Sequence, residues 1–245
     1  MQPNIEVNLI SYTQDAADLL IYTKSTRLEQ GEETRKKIAA MSWEEKMKEL
    51  DYMANTIPSS WEFVDFVFEI KNVTRAFTHQ FVRTRTGSYA QQTMRLLEKK
   101  NFTYRVPPEL DDNNKAIYED CMDNIQEAYD ALIDIGVKAE DARGVLPTNI
   151  HTNIIAKFNL RTLAEMARSR TGVRTQDEYR EVMDLMIDKV LAVYPWTSKF
   201  MFPVDRKNFT EIEDFISKMH MDGNITDSLF YDLNKAMDKI RKGYT

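Results

Sequence analysis

An α+β fold is predicted for this 245-residue chain from three observations. Strand-like and helix-like segments follow one another without the strict strand–helix–strand alternation of a parallel sheet. Residues 5–13, IEVNLISYT, alternate apolar and polar side chains, which is the period of a half-buried strand. Residues 113–136 carry apolar positions at helical spacing and end on Gly136, a helix-stop signal.

The other elements follow in chain order. A helix is expected from about Asp15 to Tyr22. SWEEKMKELDYMANT opens with a capping box, Ser42 and Glu45, and keeps helical spacing. SWEFVDFVFEIK (60–71) places aromatic and β-branched residues at period two, so it reads as a strand. In VTRAFTHQFVRTR the apolar Val73, Ala76, Phe77 and Phe81 share a helical face. Arg83 and Arg85 then fall at that helix's C-terminal end, with Gly87 placed to stop it. A turn at Pro147 precedes a strand near 150–157, and two helices flank Gly172. Residues 204–245 read as two short polar helices separated by MDGN.

Composition narrows the class. Hydrophobic residues at 42% and charged residues at 29% are ordinary for a soluble globular protein. No apolar run approaches the roughly 18 residues that span a bilayer. MQPNIEVNLI lacks the basic-then-apolar layout of a signal peptide. The lone cysteine, Cys121, excludes an internal disulfide and suits a reducing cytoplasm. A net charge of −6 argues against a general nucleic-acid or membrane-surface binder.

Several chemistries are absent. There is no G-x-G-x-x-G, no Walker A and no G-x-S-x-G elbow. The three histidines, 79, 151 and 220, lie far apart and none pairs with another at metal-ligand spacing. Cys121 sits among carboxylates in YEDCMDN, which suppress thiolate. An enzyme with this inventory leaves the hard chemistry to a cofactor.

The charge is uneven. Between Lys71 and Arg105 stand eight Lys/Arg against one acid, Glu98, so this segment is +7 and the rest of the chain −13. A charge run by itself is more often a solvated helix face. Here the run RTRTGSYAQQTMR (83–95) adds hydroxyls and amides to its arginines. Arginine forks grip phosphate or carboxylate, and Gln91 and Gln92 offer donors and acceptors to a heterocycle edge. A second run holds Arg161, Arg168, Arg170 and Arg174. Two donor-rich clusters point to a ligand with several charged groups, such as a nucleotide.

NVTRAFTHQFVRTRTGSYAQQTMR resembles the signature region of the flavin-dependent thymidylate synthases, R-H-R-x-x-S-x-x-[EQ]-x-S-x-R-Y. Arg83, Arg85, Ser88, Gln91 and Arg95 match, and Thr93 stands for a serine. SSWEFVDFVFEIKNVTRA, RGVLPTNIHT, NLRTLAEMARSRTGVRTQDEYRE and YPWTSKF follow in family order, so about residues 5–203 are covered. The resemblance implies a mixed or antiparallel sheet flanked by helices. It also implies a catalytic domain over 1–203, with 204–245 as a C-terminal helical extension.

It further implies an FAD-dependent methyltransferase converting dUMP to dTMP, with NADPH as reductant and methylenetetrahydrofolate as carbon donor. Active sites would lie between subunits of a homotetramer in the cytoplasm, with a nucleotide as the small-molecule partner. Neither membrane nor nucleic acid would be a partner. Carried over by position, Gln80, Arg83, Gln91, Gln92, Thr93, Arg95, Arg143 and Arg170 would hold the nucleotide. Ser59, Glu62, Arg83, Thr84, Arg85, Gln91, Asn159 and Arg161 would touch the flavin. Arg170, Arg83 and Thr93 form the implied catalytic set, Arg170 polarising the base. The chain departs from the family at Thr84, Leu96, Ile57, Phe63 and Glu165, mostly on the flavin and folate side. Those departures keep open a paralogue that methylates or hydroxymethylates another pyrimidine nucleotide, such as dCMP. A third reading is a nucleotide- or RNA-binding scaffold stacking bases on Tyr89, Phe102 and Tyr104.

Overall fold

The computed structural model describes residues 3–25, 31–95, 100–172, 174–202 and 206–241. The first strand, β1 (Glu6–Tyr12), leads into α1 (Ala16–Ser25), α2 (Glu32–Ala39) and α3 (Trp43–Thr56). β2 (Asp65–Thr74) runs directly into α4 (Arg75–Phe81), followed by β3 (Ser88–Gln91), α5 (Asp112–Asp134) and the short α6 (Ala139–Ala142). β4 (His151–Asn159) runs directly into α7 (Leu160–Arg170), then α8 (Asp177–Val193) and the one-turn α9 (Ser198–Met201). α10 (Arg206–Met221) and α11 (Asp227–Arg241) complete the described chain.

The strands form one four-stranded sheet in the order β1-β2-β4-β3. Its register is antiparallel. The amide of Thr13 donates to Asp65 O while Asn72 Nδ2 donates to Asn4 O, so β1 and β2 run oppositely. The amide of Leu160 donates to Val64 O while that of Asn72 donates to Asn153 Oδ1, which sets β4 against β2 in the same sense. The sheet, flanked by helices, gives the α+β class the sequence predicts. Burial follows the pleat: Phe66, Phe68 and Ile70 of β2 and Thr152, Ile154, Ala156 and Phe158 of β4 are buried, and the residues between them are more exposed. The chain divides into two compact units, Met1–Asn8 with Phe68–Ala156, and Leu9–Val67 with Lys157–Thr245.

Local chemistry explains the boundaries. α3 begins where Ser42 accepts from the Glu45 amide and Glu45 accepts from the Ser42 amide, the expected capping box. α5 ends at Asp134, and Gly136 just beyond it stops the helix with a φ of 87°, the left-handed conformation a glycine tolerates. Thr74 accepts from the Phe77 amide at 3.0 Å and so starts α4.

Four elements differ from the sequence reading. β2 starts at Asp65 rather than 60, because Pro58–Phe63 winds into a 3-10 helix. Trp61 in that turn is buried and its indole donates to Met53 O at 3.1 Å, a contact an extended strand would lose. α4 ends at Phe81, before Gly87, and successive turns carry the chain from there into β3. β3 itself, four residues long, and the strongly charged α2 have too few buried side chains for their periodicity to show.

The two C-terminal helices appear as expected. Within the pair, Ile216 and Met237 are buried against Ile225, Phe230 and Leu233. His220 stacks on Phe230, with ring centroids 4.1 Å apart. The expected boundary at 203/204 lies outside the described residues, as does Leu96.

Candidate active site

In the unit built on 68–156, β2 delivers the chain to α4, and α4 delivers it to Arg83, Thr84 and Arg85. The placement rests on aromatic packing: Phe77 stacks on Phe81 at 4.8 Å, and Phe81 meets Tyr89 edge-on at 5.6 Å. The Tyr89 hydroxyl lies 2.7 Å from Thr84 O and 3.1 Å from Phe81 O, which ties β3 to the end of α4. Arg83 and Arg85 are exposed, and among the described residues neither meets a carboxylate. Thr84 is half-buried between them.

Gln80 is half-buried on α4, and its carbonyl accepts the Arg83 amide at 3.1 Å. Gln91 donates through Nε2 to the buried Thr78 hydroxyl at 2.9 Å, which fixes its side chain and leaves its carbonyl as an acceptor. The Gln92 amide donates to Asn153 O at 2.9 Å. Its side chain helps line a cavity of about 260 Å³ with Glu69, Lys71, Ala90 and Ile155. Thr93 Oγ1 accepts the Arg95 amide at 3.1 Å, so the hydroxyl retains its own proton to donate.

Arg95 and Arg143, far apart in sequence, come together at Glu140. Arg95 Nε donates to its carboxylate at 2.7 Å, and Arg143 Nε donates to its backbone carbonyl at 3.0 Å. Arg75 joins them: burial depresses its ionisation and repulsion from Arg143 adds to the effect. Arg75 and Glu140 were missed by sequence reasoning. Arg75 lies in the cationic segment and could have been flagged by charge alone. Glu140 has no sequence signal, because its partner Arg95 is tertiary. Nearby, burial and then the Arg105 charge lower His151 to a pKa of about 4, so its ring is neutral at pH 7.

In the unit built on 9–67 and 157–245, the exposed Ser59 and Glu62 sit on the 3-10 helix before β2. Asn159 caps α7: its Oδ1 accepts the Thr162 amide at 2.8 Å, leaving its amide nitrogen as the outward donor. Arg161, in the first turn of α7, donates to Glu62 at 2.7 Å and to Glu165 at 3.3 Å. The Glu62 hydrogen bond is the main reason its guanidinium is held charged more firmly than usual. Arg170 closes the other end of α7, with its guanidinium 5.2 Å above the ring centroid of the buried Tyr179. Arg170 lies nine positions after Arg161, about 13.5 Å along the helix axis, so the two guanidinium groups stand at opposite ends of α7.

Of the positions where the chain departs from the resembled pattern, Ile57 is buried at the end of α3 and Phe63 is 59% exposed. Glu165 is an active addition, since it shares Arg161 with Glu62. Among the described residues no His/Cys/Asp/Glu group could hold a metal ion, and no helix is long and apolar enough to cross a membrane.

Comparison with known proteins bears on this arrangement. A family model described as thymidylate synthase complementing protein matches residues 8–196. The chain is similar to a flavin-dependent thymidylate synthase of Clostridium tetani, 38% identical over 160 residues, 58% of this chain and 64% of that protein. It is similar along nearly its whole length to that of Sulfurisphaera tokodaii, 29% identical over 92% of this chain and 94% of that one. The Saccharolobus solfataricus protein is 30% identical, over 86% of this chain and 82% of that one. Among solved structures, the fold matches a UMP/dUMP methylase, PolB, from Streptomyces cacaoi bound with 5-Br dUMP. That match has a TM-score of 0.67 and 18% identity, over 81% of this chain and 95% of the other.

Proposed function

The chain belongs to the thymidylate synthase complementing protein family, and on that premise we propose that it is a flavin-dependent methyltransferase that converts dUMP to dTMP. The observation that carries the reading is the state of the arginines within the matched region. Arg83 and Arg85 stand exposed without a carboxylate partner among the described residues, while Arg95 and Arg143 converge on Glu140. Unneutralised guanidinium groups beside hydroxyl and amide donors suit a phosphorylated ligand.

Arg95 and Arg143, with Thr93 and Gln92, hold the nucleotide phosphate and sugar in this reading. Gln80, Gln91 and Arg83 face the pyrimidine edge, and Arg170 polarises its carbonyl as charge develops on the ring. The residues present also fit FAD, because a pyrophosphate asks for cationic forks and Arg83 and Arg85 supply two with no acid to displace. Glu62, Ser59, Thr84, Asn159 and Arg161 complete that side. A bound, reduced flavin supplies reducing equivalents to the pyrimidine; NADPH restores it and methylenetetrahydrofolate gives the carbon. A homotetramer sharing sites between subunits, as the family resemblance implies, is the assembly we favour. Residues 1–203 then serve as the catalytic domain and 204–245 as its extension. The single cysteine is consistent with a cytoplasmic setting.

Glu165 favours a second reading. An added carboxylate on Arg161 alters the flavin side while the phosphate-gripping arginines are retained, as in a paralogue acting on another pyrimidine nucleotide. NADPH oxidation measured with dUMP and dCMP in parallel, with mass analysis of the product, decides between them. A product heavier than dUMP by one CH2 unit is expected. Turnover of dCMP alone would replace the first reading with the second, and a colourless protein that cannot take up FAD would remove both.

A further inference from the structure

The family match ends at residue 196, and beyond it, among the described residues, lie the one-turn α9 and two long helices, α10 and α11. Of these two long helices, the second reaches back to the arginine-bearing turn between α7 and α8. Arg174 is ion-paired through Nη2 with Asp238 of α11, and its guanidinium lies 5.7 Å above the ring centroid of Tyr231, two turns earlier on the same face of that helix. Asp238 keeps only 25% of its side-chain surface exposed in this pair. On the other side of the turn Arg170 lies over Tyr179 at 5.2 Å. Between them the turn is short and hydrogen-bonded: Thr171 donates to Ala167 O at 2.7 Å, and the Thr175 amide donates to Gly172 O at 2.9 Å. Each arginine that borders the turn is thus held over an aromatic ring, one supplied by α8 and the other by the C-terminal extension.

We propose that Asp238 and Tyr231 of α11 are positioning residues: by holding Arg174 they fix the α7–α8 turn, and with it Arg170, in the conformation that receives the nucleotide. This rests on the functional reading above, in which Arg170 faces the pyrimidine. The physical argument is one of pre-organisation. A turn that carries two like charges four residues apart repels itself, and an acid and two rings relieve that repulsion. A turn already ordered has less conformational entropy to lose on binding, so the nucleotide binds more tightly to the anchored form. Asp238 touches no reacting atom in this scheme, and its effect falls on binding rather than on the bond-making step.

The test uses the full-length, flavin-loaded protein with Asp238→Asn, the charge-swapped double variant Arg174→Asp with Asp238→Arg, and Asp232→Asn on the exposed side of α11 as control. Hydrogen exchange of the amides from 171 to 176 reads the turn itself. Calorimetric titration with dUMP reads affinity, and steady-state assays separate KM from kcat. Asp238→Asn is expected to speed exchange at the turn and to raise the dUMP Kd and KM, each by about three- to fivefold, the range open to a partly exposed ion pair. Its kcat should stay within about twofold, the swap should restore exchange and affinity, and the control should match wild type. Unchanged exchange at the turn in Asp238→Asn overturns the anchoring. Faster exchange with unchanged dUMP affinity overturns the positioning role. A wild-type protein that binds no dUMP defeats the functional reading and this role together, whereas the exchange arm still reports separately on the contact between α11 and the turn.

Discussion

Arg95 donates to the Glu140 carboxylate at 2.7 Å, and Glu140 in turn offers its backbone carbonyl to Arg143 at 3.0 Å. One residue between two guanidinium groups makes their energetics interdependent. Arg95→Ala and Arg143→Ala should each weaken dUMP binding about 10- to 100-fold, since a charge-assisted hydrogen bond contributes about 1.5–3 kcal/mol. The double variant should lose less than the product of the two single losses, because the two guanidinium groups share Glu140 and so are not independent. Titration calorimetry on the four proteins measures the coupling, and strict additivity would show that the arginines act separately.

Arg170 is the residue on which turnover should depend most. If it polarises the base as charge develops, Arg170→Ala loses about 100-fold or more in kcat. Lysine at the same position keeps the charge but not the planar fork, so it should recover only part of that loss. Near-wild-type turnover in the alanine variant would remove the role.

Arg161 divides its donors between Glu62 and Glu165. The Glu165 contact is an exposed pair one helical turn away, a type that contributes about 0.3–0.5 kcal/mol. Glu165→Gln should therefore change FAD affinity by less than about threefold, whereas Arg161→Ala should weaken it about tenfold. Quenching of flavin fluorescence on titrating apoprotein distinguishes them; a larger effect from Glu165 would mean that it contacts the cofactor itself.

His151 predicts a pH dependence of stability. Burial and the Arg105 charge lower its pKa from 6.5 to about 4 in the folded chain. Between those values the unfolded chain takes up a proton that the folded chain refuses, so stability falls as pH drops from about 6.5 to about 4. Above that window this group contributes no slope. Urea unfolding of His151→Gln across the same range should show a shallower decline than wild type, and parallel curves would mean that the ring titrates normally.

Much of the scaffold was legible in the sequence because it follows local rules. The Ser42–Glu45 capping box, the Gly136 stop and the alternation along β4 are each decided within a few residues of themselves. The errors arose where a distant contact overrides local preference. Residues 60–63 have a strand's composition, yet they wind into a turn because Trp61 reaches back to Met53. The site shows the same division. Arg83, Arg95 and Arg170 were visible as members of charged runs. Glu140 was not, since its meaning depends on a partner that only the fold brings near. Arg75 looked like one more surface charge until the fold half-buried it near Arg143.

α7 carries Arg161 in its first turn and Arg170 in its last, while Leu160, Thr162, Leu163, Ala164, Met166 and Ala167 bury its inner side. On the proposed reading, such a packed rod behaves as a ruler with a working group at each tip. Its length cannot change by a fraction of a turn without rotating one tip away from its task. The chemistry at one tip can nonetheless be exchanged while the other is left alone. Alterations gathered around Arg161 need not disturb what Arg170 does, and a redesign of specificity could begin there.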